Sequence, residues 1–505
     1  MKPPVCTLSL DVAEAWYSTT AVTAQARSPS SAGSYAGERW SFTVVGVRRD
    51  GCGETVAEPA RSGLTTLLSA SVESGGHDID EAPVAAPEAD PQESFYRRLI
   101  VMVTVVGGLW RVGYLIATKW HQRLRLNDSF YYSSQAWQNA HGHWFRDFLG
   151  THPAAEHAPL TSILLMPSSL LAHHEFWQRA TNTIVGIAVI PLIAMVARRV
   201  GGRRVGVIAA AIAAVYANLW MNDSLIMSET ISTLLAVLAL WFAFKHRDRF
   251  DIRSALVCGA IVGLAALARS ELVLLAALFA LIGVRSHPVR VWAARSGVLL
   301  LTSMLVLVPW IAYNVPRFHH VVLISTNEGG ALGGANCDDA YSGAALGGWS
   351  LLCVVDNVDR PEEDASDRSI RLRHDALSYA RDHASRIPVV VAARIARSAD
   401  LYGLGDLVRF DVGEERARWA SWLGIVSWWA LAPLAALGWW RQRRVNGWVL
   451  AAPAIAVLFT TVVFYGAHRL RSPMEPVTVI CAAVALASWS PVASCLDTFI
   501  ERRRR

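Results

Sequence analysis

The chain has 505 residues, 53% hydrophobic and 17% charged, whereas a soluble protein of this length carries about 25% charged residues. Its apolar residues gather into long blocks, so the excess belongs to a membrane domain and not to a large soluble core. The net charge of +6 does not point to nucleic acid, because the arginines cluster at the ends of apolar blocks; the bilayer is the expected partner.

Residues 1–93 are rich in Ser, Ala, Gly, Pro and acidic residues without a sustained period, which predicts a disordered cytoplasmic tail. No apolar stretch of the signal-peptide kind follows Lys2. From Leu99 onward the pattern turns to apolar runs approaching the roughly 20 residues that a hydrocarbon core needs. About ten spans are expected, at 99–118, 179–198, 204–220, 227–245, 254–268, 271–284, 296–315, 418–439, 447–466 and 474–491. Only Arg269-Ser270-Glu271 separates the fifth from the sixth. A single span over 254–284 is the competing reading, but about 31 residues exceed an ordinary crossing.

Arginine placement sets the orientation. With the N-terminus inside, the loops at 197–204, 245–253, 285–295 and 441–444 and the tail at 502–505 face the cytoplasm, and each is rich in arginine. Both termini are then cytoplasmic. The expected organisation is a tail over 1–93, a membrane domain over 94–492 and a basic tail over 493–505. Only Lys2, Lys119 and Lys245 are lysine among 47 basic residues, a codon bias that suggests a high-GC bacterium and hence its plasma membrane.

Two exterior loops are long, about 119–178 and 316–417. The first holds Arg125-Leu-Asn-Asp-Ser-Phe-Tyr-Tyr132 and Glu156-His-Ala-Pro-Leu-Thr161, followed by the apolar run 160–171, too short to cross and interrupted by Pro167. The second holds Cys337 and Cys353, sixteen residues apart, where an oxidising exterior allows a disulfide. The seven cysteines show no zinc-ligand spacing. Residues 387–395 are apolar on one side with Arg394 and Arg397 nearby, a pattern that suits an interfacial helix.

Asp128 follows Asn127 at the start of a helical-looking stretch, so it fits either a helix cap or a reactive carboxylate. Paired with Glu156 in the same loop, it could hold a sugar hydroxyl, a divalent metal ion or a proton. Glu229 and Glu271 stand at the exterior starts of the fourth and sixth spans, where the helix dipole favours acids. Arg469 and Arg471 lie in the last exterior turn, against the positive-inside trend. They suit either headgroup anchoring or a lipid phosphate.

Together these landmarks resemble the membrane glycosyltransferases of the GT-C type. The resemblance is carried by Asp-x-x-Tyr at 128–131, Glu-basic-x-Pro-Leu at 156–160, Ser228-Glu229 and Ala268-Arg-Ser-Glu271. It covers about residues 95–490, and the most similar group is the glycosyltransferase 39-like branch of aminoarabinose transferases and protein O-mannosyltransferases. Val308–Asn314 and Arg469–Pro476 resemble its later landmarks, and 325–339 resembles its flexible exterior loop.

The resemblance implies an all-α polytopic bundle that transfers a sugar, with inversion, from a polyprenyl-phosphate donor to a glycan, lipid or protein acceptor on the exterior face. Asp128 matches the first-loop acid, as base or acceptor-positioning group, and Glu156 the acid of a Glu-Lys-Pro-Pro-Leu pattern. Tyr131, His157, Glu229, Arg269, Glu271, Arg469 and Arg471 are the expected substrate contacts, the arginines serving the leaving phosphate. The chain departs from the pattern at Asn127-Asp128, where the family often has Asp-Glu, at His157, where it has lysine, and at Ala158, where it has proline. The competing functions are a transporter or flippase of polyprenyl-linked sugars, which calls for ionisable groups at mid-membrane, and a non-catalytic scaffold. Arg111 is the main charge within a span.

Overall fold

The computed structural model describes residues 90–489 apart from 126, 148–150, 356–359 and 361. The tail expected over 1–93 therefore lies outside the described residues as far as 89, and so does the basic tail over 493–505. The first helix, α1 (Pro91–Lys119), begins two residues before the expected end of that tail. Asp90 caps it by accepting from the Gln92 amide at 3.0 Å, and proline opens its first turn.

Helices α2 (Asp128–Ala140) and α3 (Leu160–Ser169) fill the first long loop. Next, α4 (His174–Val215) is broken at Gly201 and Gly202, the latter at φ +85°, so it is two helices joined at a kink. That break separates the second and third apolar segments. After α5 (Ala217–Asp223), α6 (Glu229–Arg249) and α7 (Ile252–Ala268), the chain extends at Arg269 (φ −146°, ψ 120°). A 3-10 turn over Ser270–Val273 then leads into α8 (Leu274–Ala280). The polar dent at 269–271 is thus a real interruption, and 254–284 is not one continuous helix. It is followed by α9 (Val289–Asn314).

The second long loop folds into α10 (Glu328–Ala335), α11 (Asp338–Tyr341), α12 (Leu352–Val355), α13 (Ala365–Asp382), α14 (Ile387–Ser398) and α15 (Leu404–Gly413). Cys337 and Cys353 are joined in a disulfide, Cα–Cα 6.3 Å. The chain closes with α16 (Arg418–Gln442), α17 (Gly447–Val463) and α18 (Glu475–Ala487). Among the described residues there is no strand, only one isolated bridge between Arg146 and Pro153.

By length and composition, α1, α4, α9 and α16 are long and apolar enough to cross a membrane, and α7, α17 and α18 are shorter apolar helices. The protein is an all-α polytopic membrane protein. Its principal core joins α4, α6, α7, α8 and α18 through Ile190, Ile193, Leu240, Phe244, Val262, Phe279 and Ile480. Small residues set the closest approaches, since lipid tails leave packing as the main force between helices. A Cβ at Gly438 of α16 would stand 1.8 Å from the Cys481 carbonyl oxygen of α18, so only glycine allows that crossing.

Two sequence expectations change in the fold. Arg394 and Arg397 of α14 are buried, not aligned with headgroups. Arg394 donates to the carbonyls of Val462 (2.8 Å) and Ala335 (2.7 Å), and Arg397 pairs with Asp406. The last carbonyls of a helix have no partner within it, and Arg394 supplies donors to those of α17 and α10. Ile387, Pro388, Val389, Ala392 and Ile395 keep an exposed apolar edge on α14.

Arg111 acquires a structural role. Its Nε lies 2.6 Å from Asp223, and its Nη atoms donate to the last carbonyls of α4 at Ala213 and Ala214 (2.9 and 3.1 Å). Removing one member of a buried pair costs about 3–5 kcal/mol, whereas an apolar pair of similar volume is often neutral. Arg111→Met alone is expected to lower the melting temperature in detergent, and Arg111→Met with Asp223→Leu to recover most of the loss. An equally unstable double variant would show that the carbonyl contacts dominate.

Candidate active site

Asn127 caps α2 by accepting from the Ser129 amide at 2.9 Å. Asp128 is therefore the first helical residue, and its carboxylate is released from the capping role that the sequence also allowed. It is 5% exposed. Its Oδ2 accepts from Arg469 Nη2 at 2.8 Å, and its Oδ1 lies 3.5 Å from His157 Nε2.

Arg469 comes from the turn His468–Arg471 between α17 and α18. It also bonds Glu414 and lies 3.8 Å from Glu229. Glu229, buried at the start of α6, is 3.3 Å from Arg269 Nη1 and 3.8 Å from Arg416 Nη2. Arg269 Nε donates to Glu271 at 2.6 Å. Asp128, Arg469, Glu229, Arg269 and Glu271, far apart in sequence, thus form one chain of alternating charge, with the His157 ring at its Asp128 end.

Two expected residues sit differently. Glu156 is exposed, and its carbonyl accepts from Ser325 Oγ at 2.6 Å. Burial first, and then the Glu156 charge, push the Tyr131 phenol above its ordinary pKa. Glu156 thus lies beside Tyr131 on the open side, while His157 is the residue that reaches Asp128. Arg471 is not in contact with Asp128. It is buried between Asp400 (2.7 Å) and Glu475 (3.1 Å), with its guanidinium 4.0 Å from the Trp428 ring centroid. Its Nη1 also donates to the Ser398 carbonyl, so the guanidinium braces the last turn.

The turn Gly413–Arg416 was missed by sequence reasoning. Glu414 accepts from both Arg469 and Arg416. Glu415, at φ +71°, accepts from the Arg125 amide (2.9 Å) and from Arg179 (2.7 Å), and its carbonyl accepts from Lys119. The turn ties the end of α1 and the start of α2 to the cluster. Its only sequence signal is Glu-Glu-Arg just before the eighth span, which reads equally well as a solvated charge run.

Burial alone would raise the Asp128 carboxyl, but Arg469 and His157 outweigh it and hold it well below the usual carboxylate range. One Asp128 oxygen faces the Arg469 guanidinium and the other the His157 ring, and Glu229 is ringed by three arginines. This surround suits an anion and does not fit the divalent metal that the acid pair could hold. The described His and carboxylate side chains near enough to share a metal ion are His319, Asp364 and Asp367, within 4.8 Å. There Asp364 caps α13 and Asp367 closes the capping box. Arg469 and Glu414 also line a small, partly open cleft together with Trp349, Phe410, Tyr465 and His468.

An all-α membrane scaffold with a buried acid–arginine cluster at its helix ends is the class these features define. Residues 156–313 match a family model described as dolichyl-phosphate-mannose-protein mannosyltransferase. That segment contains Glu156–Leu160, Ser228-Glu229 and Arg269–Glu271, so the resemblance carried by these motifs has an independent counterpart. Among solved structures, the chain is similar to the oligosaccharyltransferase AglB of Archaeoglobus fulgidus in complex with an inhibitory peptide and a dolichol-phosphate. That match has 13% identity and a TM-score of 0.47, and covers 78% of this chain and 50% of the other. The apo form of the Archaeoglobus fulgidus oligosaccharyltransferase matches at 14% identity and a TM-score of 0.48, with 78% and 50% covered. ArnT from Cupriavidus metallidurans bound to undecaprenyl phosphate matches at 14% and 0.39, with 78% of each chain covered. The chain spans about half the length of the archaeal oligosaccharyltransferases it matches. No curated protein matches it.

Proposed function

We propose that this protein transfers a sugar from a polyprenyl-phosphate donor to an acceptor hydroxyl at the exterior face of a bacterial plasma membrane, with inversion at the anomeric carbon. The observation that carries this reading is the ion pair between Asp128 and Arg469, which puts an anionic group for the acceptor beside a cation for the departing phosphate. A lipid-linked donor must be met at the membrane surface, because its tail stays in the hydrocarbon. Arg269 and Arg469 are the cations for the leaving phosphate, since guanidinium forks suit phosphate oxygens. Asp128, with Glu156 on its open side, meets the acceptor, and Tyr131, His157, Glu229 and Glu271 complete the walls. Residues 94–492 form the transferase domain on this reading, between two cytoplasmic ends.

The test is a donor screen. Purified protein in lipid vesicles is supplied with radiolabelled polyprenyl-phosphate sugars and with glycan, lipid and protein acceptors. Label transferred to an acceptor is the expected result. Donor crossing the bilayer without transfer would replace this reading with that of a flippase.

A further inference from the structure

We infer that His157 is the general base of the transfer, with Asp128 as the group that positions it; this inference rests on the sugar-transfer reading above. Asp128 itself is poorly placed to take a proton. Both of its oxygens are engaged, one by Arg469 at 2.8 Å and the other by His157 at 3.5 Å, and the residue is buried. The Arg469 guanidinium, bonded to it at 2.8 Å, also lowers its basicity.

His157 has the complementary properties. Its Nε2 faces the Asp128 carboxylate, which accepts only, so the neutral ring carries its hydrogen on Nε2 and leaves Nδ1 with a lone pair. Among the described residues Nδ1 makes no hydrogen bond, and the side chain is 17% exposed. The ring is held between Tyr131 and Tyr132, with centroids 4.8 and 5.0 Å away. The backbone leading into it is pinned: the Ala155 carbonyl accepts from the Thr326 amide at 2.7 Å and the Glu156 carbonyl from Ser325 Oγ at 2.6 Å. The charged and titratable groups around the ring are Asp128, Tyr131 and Tyr132 from α2, Glu156 beside it in the chain, and Arg469 across Asp128.

In the step this geometry supports, the acceptor oxygen attacks the anomeric carbon and a new C–O bond forms. The bond from that carbon to the phosphate oxygen breaks, and its electron pair leaves with the polyprenyl phosphate. The acceptor proton passes to His157 Nδ1. The imidazolium that results is stabilised by Asp128, as in an Asp–His pair of a hydrolase, and later returns its proton to solvent through the exposed ring edge.

Two measurements on the full-length protein test the assignment. In the first, the folded wild type is treated with diethyl pyrocarbonate at pH 7–8 and carbethoxylated histidines are mapped by mass spectrometry. Modification of His157 is expected; protection of His157 while surface histidines react would overturn the assignment, because Nδ1 would be closed or protonated. The second compares kcat/KM for transfer between pH 5 and 8. Wild type is expected to lose activity toward acid, as an imidazole base does. His157→Gln is expected to lack that acid limb and to be slower by about 10²–10⁴-fold. Wild-type rates and an unchanged limb in His157→Gln would overturn the role of His157 while leaving sugar transfer standing. A wild type that transfers sugar from no donor would overturn the sugar-transfer reading, and this assignment with it.

Discussion

Replacing Asp128 by asparagine is expected to lower sugar transfer by up to about 10⁴-fold, the loss that follows when the carboxylate of an Asp–His pair becomes an amide. The substitution keeps the shape of the side chain and removes one charge. Arg469 stays paired with Glu414 and near Glu229, so the cation for phosphate is retained. The anion facing His157 is lost, and the imidazolium formed during transfer has no counter-charge. Because Arg469 and His157 hold the Asp128 carboxyl below its usual range, this ion pair contributes stability above about pH 4, the ordinary Asp value. That contribution fades as pH falls through the depressed folded value. The assay compares membranes containing equal amounts of each protein and radiolabelled polyprenyl-phosphate donors. Equal transfer by Asp128→Asn and wild type would remove Asp128 from the mechanism.

The second large effect is on stability and centres on His468. Its Nδ1 lies 2.8 Å from Asp400 and its Nε2 2.9 Å from Asp411, so both ring nitrogens face carboxylates. Burial disfavours the charged ring, but Asp411 and Asp400 outweigh it and push its pKa up to about 9. Asp400 in turn holds Arg471 and has a left-handed backbone at φ +55°. Asp411 lies 3.4 Å from Arg416, which bonds the Glu414 that holds Arg469. His468 thus anchors the same network that presents Arg469 to Asp128.

A folded pKa of about 9 against an ordinary imidazole value near 6.5 corresponds to about 3 kcal/mol. The folded value is the higher one, so this stability is fully present below about pH 6.5 and is lost as pH rises through about 9. His468→Leu leaves two carboxylates without that cation and is expected to cost about 3–5 kcal/mol at pH 6. Thermal unfolding in detergent at pH 6 and pH 10 checks both points: wild type loses stability between them, and the variant is unstable at both. A wild type equally stable at the two values would show that the ring is not charged in the fold.

The positions of the apolar segments were legible from hydropathy, because a bilayer imposes a length that a single sequence displays directly. The break at Arg269 was legible for the same reason: 31 continuous residues would overshoot the membrane. The individual acids were legible as polar residues at helix starts. Their partners were not, since nothing in the spacing of residues 128 and 469 indicates that they touch. Arg394 and Arg397 were misjudged for a related reason. An arginine near a membrane end has the same sequence signature whether it meets lipid headgroups or fills a buried ring of carbonyls and carboxylates.

By itself, then, the sequence determined the class of this protein: an all-α membrane bundle with acidic and arginine-bearing loops, since span length and the exclusion of charge from hydrocarbon act locally along the chain. Only the tertiary structure decided which charges pair. Asn127, not Asp128, caps α2. His157, not Glu156, reaches the carboxylate. Glu414, unremarked in the sequence, joins Arg416 to Arg469. Ion pairing falls off over a few ångströms and is fixed by helices that return from hundreds of residues away, so it is a property of the packed bundle and not of any one segment.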